Sequence, residues 1–133
     1  MREFREAVEA NDHDAMAACL SDEVRFTSPV AYAPYQGKAV TAAILRAVTR
    51  VFEDFRYVKE IGEIDGRDHA LIFQARVDGK ELTGCDFLHL DEQGRIDDFM
   101  VMVRPLSAAN ALSAAMAAEF GRITAEAATG IAR

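Results

Sequence analysis

The chain has 133 residues, half of them hydrophobic and 28% charged, with a formal net charge of -7 at pH 7. That length suits a single domain over 1–133, and the composition excludes a wholly disordered chain. The acidic balance, without clustered Lys and Arg, argues against a nucleic-acid partner and points to small or apolar ones.

The opening segment "MREFREAVEAND" is charged and helical, with no basic stretch leading into an apolar run, so no signal peptide is expected. No apolar run reaches membrane-spanning length. Cys19 and Cys85 lie far apart and form no CxxC pair, which reads as reduced thiols of a cytoplasmic protein. Phe4, Val8, Met16 and Leu20 make one apolar face of a helical segment from Arg2 to Leu20. The capping residues Asn11 and Asp12 interrupt it, so a second helix is expected to start near Asp12.

"VRFTSPV" alternates and ends at Pro29, predicting a short strand and then the loop "PVAYAPYQG". Lys38 to Phe52 returns to helical spacing, with Val40, Ile44 and Val48 on one stripe. The period then changes to two. Strands are predicted at about Phe55 to Ile64, His69 to Val77, Glu81 to Leu90 and Arg95 to Val103, joined at "DGRD", "VDGK" and "DEQG". Asp-Gly at the first two turns marks sequential antiparallel hairpins. Pro105 stops the last strand, and an Ala-rich helix over about 106–128 carries Leu112, Met116, Phe120 and Ile123 as an apolar stripe. Helices followed by a meander give an α+β domain, with helices covering one face of a curved antiparallel sheet.

The strand faces locate a hollow. Leu71, Phe73 and Ala75 share one face of their strand, and Phe99, Val101 and Val103 share one face of theirs. Neither face carries a charge, so both are assigned inward, and the matching face of the intervening strand is Asp86, Leu88 and Leu90. An apolar hollow with one carboxylate in its wall is how small-molecule pockets are built. Burial raises a carboxyl pKa, so Asp86 becomes a candidate hydrogen-bond donor, acid or base near neutral pH. The alternative is structural: Asp86 bonds a buried N–H or a water.

Phe26 and Ser28 share a strand face, which makes Ser28 a polar neighbour for Asp86. Tyr32 and Tyr35 either reach over the pocket mouth with their hydroxyls or pack their loop. His13, His69 and His89 lie in different elements without short-spaced ligand pairs, so no metal is expected. His89 shares a face with Phe87 and is expected on an outer or dimer surface. No nucleophile elbow, phosphate loop or triad spacing occurs.

The order of helix, "NDHDAMAACLSDEVRFTSPV", a loop closing on "YQGKAVTAAI", and a meander ending "DFLHLDEQGRIDDFMVMV" resembles the nuclear transport factor two-like superfamily. The similarity, over about residues 2–104, is to its SnoaL-like and ketosteroid-isomerase-like branch. This resemblance implies a cone-shaped sheet around a hydrophobic pocket, a homodimer, and no cofactor. By the same resemblance Asp86 matches the protonated aspartic acid of the isomerase oxyanion hole. Ser28 falls where the isomerase has its base, Phe4 at the oxyanion-hole tyrosine and Leu45 at a supporting tyrosine. None of the three can do the corresponding chemistry, which argues against steroid isomerisation.

The expected function is binding of an apolar, oxygenated small molecule, with cofactor-free isomerisation, cyclisation or dehydration at Asp86. The expected pocket is shaped by Phe4, Phe26, Leu45, Leu71, Phe73, Leu88, Phe99 and Val101. The alternative is a non-catalytic ligand-binding or dimeric interaction module.

Overall fold

The computed structural model describes residues 1–129; positions 130–133 of the expected domain lie outside the described residues. Helices α1 (Arg2–Glu9) and α2 (His13–Ala18) precede strand β1 (Leu20–Thr27) and the two-residue β2 (Tyr35–Gln36). Helix α3 (Lys38–Val51) leads into the meander β3 (Glu53–Ile61), β4 (Asp68–Val77), β5 (Lys80–Leu90) and β6 (Ile96–Arg104), and α4 (Leu106–Thr129) ends the described chain. The six strands form one curved open sheet in the order β2-β1-β6-β5-β4-β3.

Local chemistry explains most boundaries. The break after α1 falls at Asn11, which adopts a left-handed φ of 54°, a conformation asparagine tolerates better than most residues. Asp12 then caps α2 by accepting the Ala15 N–H at 3.1 Å. The β4–β5 turn places Asp78 and Gly79 at φ 50° and 74°, the pair of positive angles that a two-residue hairpin of right-handed twist requires.

Two expectations are corrected. Leu20 is the first residue of β1, not the last of a helix; it is fully buried beside Ile96, its partner on β6. On α3 the most deeply buried positions include Ala43 and Ala47 beside Ile44, while Val40 and Val48 are only half-buried. Small residues are needed there because α4 packs against α3 while α3 also contacts β1.

β3 to β6 pair antiparallel in sequence, whereas β6 pairs in parallel with β1, through Phe26 beside Phe99 and Thr27 beside Met100. The inward face alternates as expected: Leu71, Phe73, Ala75 and Val77 on β4 are buried and the residues between them are half-buried. Phe4 of α1 meets Phe99 edge-on at 5.5 Å between ring centroids, and Phe26 lies 5.3 Å from the same ring. A second aromatic group, Phe52, Phe55, Tyr57 and Phe73, fills the β3–β4 side, with Phe55 stacked on Phe73 at 4.9 Å. Gly84 makes this possible. The Phe73 ring lies across it, so that any Cβ at 84 would collide with ring carbons.

Candidate functional site

The inward face of the sheet, α3 and α4 line a partly open cavity of about 380 Å³. Its sheet wall comes from Phe26 on β1, Phe55 and Tyr57 on β3, Phe73 on β4, Asp86 on β5 and Val101 on β6. Ile44, Leu45, Val48 and Thr49 of α3 and Phe4 and Val8 of α1 close the sides. Across the top lies α4, through Leu112, Ser113, Met116, Ala117, Phe120 and Ile123. Leu112, Met116, Phe120 and Ile123 among these are the apolar stripe of the Ala-rich helix, and it lies against the cavity with Phe120 half-exposed.

Asp86 is 6% exposed in this wall. Burial raises its carboxyl from the ordinary 3.8 to about 7, and a hydrogen bond from Tyr57 pulls the other way. The Tyr57 hydroxyl donates to Asp86 Oδ2 at 3.0 Å. Its own pKa is pushed well above the usual phenol value, first by burial and then by the Asp86 charge, so it stays a donor at neutral pH. Asp86 Oδ1 has no protein hydrogen-bond partner among the described residues. With a pKa of about 7 the carboxyl passes near neutral pH between a protonated form that can donate into the cavity and a carboxylate that can act as a base.

Register explains the meeting of these two side chains. Tyr57 pairs with Phe73 and Phe73 with Gly84, while Asp86 stands two residues beyond Gly84 on the same face. Arg5 of α1 lies 5.7 Å from the centroid of the Tyr57 ring and also pairs with Glu60, tying α1 to β3 behind the phenol. The sequence reading missed Tyr57. Its signal was the spacing Phe55, Tyr57 against Arg56, but the hydroxyl's target depends on register.

Of the other expected site residues, Phe4, Phe26, Ser28, Tyr35, Leu45, Phe73, Phe99 and Val101 all line the cavity with Asp86. Three do not. Tyr32 is fully exposed on its loop, where the turn after Pro29 directs it to solvent. Leu71 and Leu88 face inward and are packed within the core, but their side chains do not reach the hollow. Ser28 reaches the cavity from a bend just past β1, and its oxygen accepts the N–H groups of Val30 and Ala31 at 3.3 and 3.0 Å. It has no titratable partner to make it a base.

A second polar cluster adjoins the cavity at Thr49. His13 Nε2 lies 3.0 Å from Thr49 Oγ1, and Arg46 Nη1 lies 3.0 Å from His13 Nδ1. Arginine only donates, so Nδ1 accepts and Nε2–H donates to Thr49, whose hydroxyl donates to the Arg46 carbonyl at 2.6 Å. Burial and the charges of Arg46 and Arg50 lower the His13 pKa, which keeps this neutral tautomer. A histidine so oriented cannot take the threonine proton, so the trio is structural and not a nucleophile with its base. His69 Nε2–H donates to the Gly66 carbonyl at 2.8 Å and holds the β3–β4 loop. His89 is on the outer face, where a hydrogen bond with Asp97 at 2.6 Å raises its pKa. Among the described residues no three His, Cys, Asp or Glu side chains converge as a metal site, and no helix is long and apolar enough to cross a membrane.

A curved sheet closed by helices over an apolar hollow, with one buried carboxyl–phenol pair, defines an NTF2-like α+β protein with a small-molecule-sized cavity. The chain belongs to the SnoaL-like domain family, whose sequence model matches residues 1–99. It is similar to a steroid delta-isomerase from Pseudomonas aeruginosa, with 39% identity, 93% of this chain and 90% of that one covered, and a TM-score of 0.86. An uncharacterized protein with a cystatin-like fold from Silicibacter pomeroyi shares 38% identity over 89% of this chain and 82% of that one, at a TM-score of 0.84. A SnoaL-like protein of unknown function from Burkholderia thailandensis, 18% identical over 78% of this chain and 91% of that one, has the same fold at a TM-score of 0.62. No curated protein matches the chain.

Proposed function

We propose that this protein binds a neutral, mostly apolar molecule carrying an oxygen that meets Asp86, and performs acid–base chemistry on it such as isomerisation, cyclisation or dehydration. The single observation that supports this is the Tyr57–Asp86 pair, buried in the wall of an apolar cavity with one carboxyl oxygen unclaimed by protein. No Lys or Arg lines that cavity, so nothing there compensates an anionic ligand. The related Pseudomonas aeruginosa structure is named a steroid delta-isomerase. For this chain a ring system of that apolar character suits the lining, but Ser28 offers no base opposite Asp86. That absence favours a second reading, non-catalytic ligand binding.

The naphthyl ketone 2-acetonaphthone is a suitable probe, because its carbonyl only accepts. The protonated carboxyl donates to it and the carboxylate does not, so affinity is expected to fall by roughly tenfold between pH 6 and pH 8 with a midpoint near 7. In Asp86→Asn, which donates at every pH, the affinity is expected to stay flat. Fluorescence titration that finds no binding, or the same pH profile in both proteins, removes Asp86 from ligand recognition. Loss of turnover with retained binding in this variant, once a substrate is identified, separates catalysis from binding.

We also propose a homodimer through the outer sheet face, where Phe87 and Met102 are 41% and 55% exposed beside half-buried Ile72, Cys85 and Met100. Met102→Glu is expected to shift sedimentation from dimer to monomer; an unchanged profile, or a wild-type monomer, refutes this.

A further inference from the structure

We infer that the second half of α4, from Met116 to Thr129, is the gate of the cavity, latched in its narrowing position by ion pairs between Arg46 and Arg50 of α3 and Glu119 and Glu126 of α4. The gate controls entry to the ligand site proposed above and rests on that reading.

A gating role for α4 follows from where the mouth lies. Asp86 and Tyr57 are 6% and 7% exposed at the inner end of the cavity, whereas Val30 and Phe120 on its lining are 36% and 47% exposed, so the position of α4 sets how wide the way in is. The inner strands β4, β5 and β6 are each hydrogen-bonded on both sides and cannot part without breaking a ladder. Helix α3 is wedged between α4 and the sheet, with six buried residues in its 14. Helix α4 is held differently: of its 24 residues only Ala108, Leu112 and Ile123 are buried, and just one of these lies in the second half.

Met116 and Ala127 pack half-buried against the core, and polar contacts supply the rest of the attachment. Arg50 Nε pairs with Glu119 at 2.7 Å, Arg50 Nη2 with Glu126 at 3.1 Å, and Arg46 Nε with Glu126 at 3.5 Å. Among the described residues these are all the side-chain hydrogen bonds and ion pairs between α4 and the rest of the protein. The arginines are four apart on α3 and the glutamates seven apart on α4, so each pair presents one helix face to the other. Their side chains keep 14 to 26% exposure, enough for salt to weaken them and too little for water to cancel them.

The half-helix also has a weak point and a loose rim. Gly121 stands within it with open space around its Cβ position, and a glycine lowers helix stability there. Phe120, 47% exposed, meets Tyr35 across the edge of the cavity with ring centroids 6.4 Å apart, beside the Ser28–Ala31 segment. Latched, Met116, Phe120 and Ile123 cover the hollow; released, they uncover it while Leu112 keeps the first half docked.

Hydrogen exchange read by mass spectrometry tests the latch without any ligand. In Arg50→Gln, amides from Met116 onward are expected to exchange about three- to fivefold faster than in wild type, with α3 and the first half of α4 unchanged. Arg50→Lys is expected to restore most of the protection. Stopped-flow binding of 2-acetonaphthone then tests the gate: on and off rates rise together by a similar factor in Arg50→Gln, or in wild type at raised salt, and Kd stays within about twofold. Exchange that is unchanged, or that accelerates uniformly through the protein, overturns the proposal, as does a change confined to the off rate. A wild-type protein that binds no probe refutes the pocket reading, while the exchange result still decides whether these ion pairs hold the helix down.

Discussion

Asp86→Asn is expected to make the protein more stable than wild type at pH 8 and about equally stable at pH 4. In the unfolded chain the carboxyl loses its proton near 3.8, whereas in the fold it keeps it to about 7. Between those values the folded state holds a proton that the unfolded state has released, so stability falls as pH rises through this window and stays low above it. At about 1.4 kcal/mol per pH unit, the gap corresponds to roughly 4 kcal/mol at pH 8. Asparagine stays neutral throughout and can still accept the Tyr57 O–H, so the variant lacks this loss. Any misfit of its amide shifts the curve by a constant and leaves the slope intact. Urea unfolding of both proteins from pH 4 to pH 8 is the measurement, and parallel stability profiles would show that Asp86 titrates like an exposed carboxylate. A buried carboxyl with so displaced a pKa, in the wall of a cavity, is a candidate functional group.

The meander was legible because alternation is a local signal: Leu71, Phe73 and Ala75 read inward from their own strand, and Asp-Gly at 78–79 fixes its own turn. Asp86 stood out for the same reason, as a charge on an otherwise apolar face. The parallel pairing of β1 with β6 was not legible, since Phe26 and Phe99 are brought together across most of the chain by α3 and the meander, and neither sequence window names the other. Tyr57 failed for a related reason. Its hydroxyl reaches Asp86 because Gly84 lets Phe73 lie flat between β3 and β5, a relation among three strands that no single strand carries. Leu71 and Leu88 show the difference between facing inward and lining a hollow: alternation gives the face, but the depth at which packing gives way to space depends on how all the helices sit. Loop chemistry was weakest, as Tyr32 shows, because a Pro-bounded loop has no period from which to infer direction.

Ending the chain after Pro105 is expected to cost roughly 5 kcal/mol and to return Asp86 toward an ordinary carboxylate. Leu112 and Ile123 each contribute about 1.5 to 3 kcal/mol by burial, and the half-buried Ala111, Met116 and Ala127 add to them. A loss of this size is comparable to the whole stability of a small domain, so melting should fall by about 20 °C or lose its cooperativity. The effect reaches the site because α4 is the cavity's roof: without it water meets the Tyr57–Asp86 pair, and the desolvation that raises the Asp86 pKa is relieved. Ile123→Ala is the milder variant, expected to lower stability by about 2 to 4 kcal/mol while the helix stays in place. Calorimetry and carboxyl-carbon NMR titration check the two arms. If the truncated chain melts as wild type does and Asp86 still titrates near 7, the helix neither roofs the cavity nor keeps it dry. The buried acid would then owe its state to the sheet alone, through the aromatic group of Phe55, Tyr57 and Phe73 packed around it.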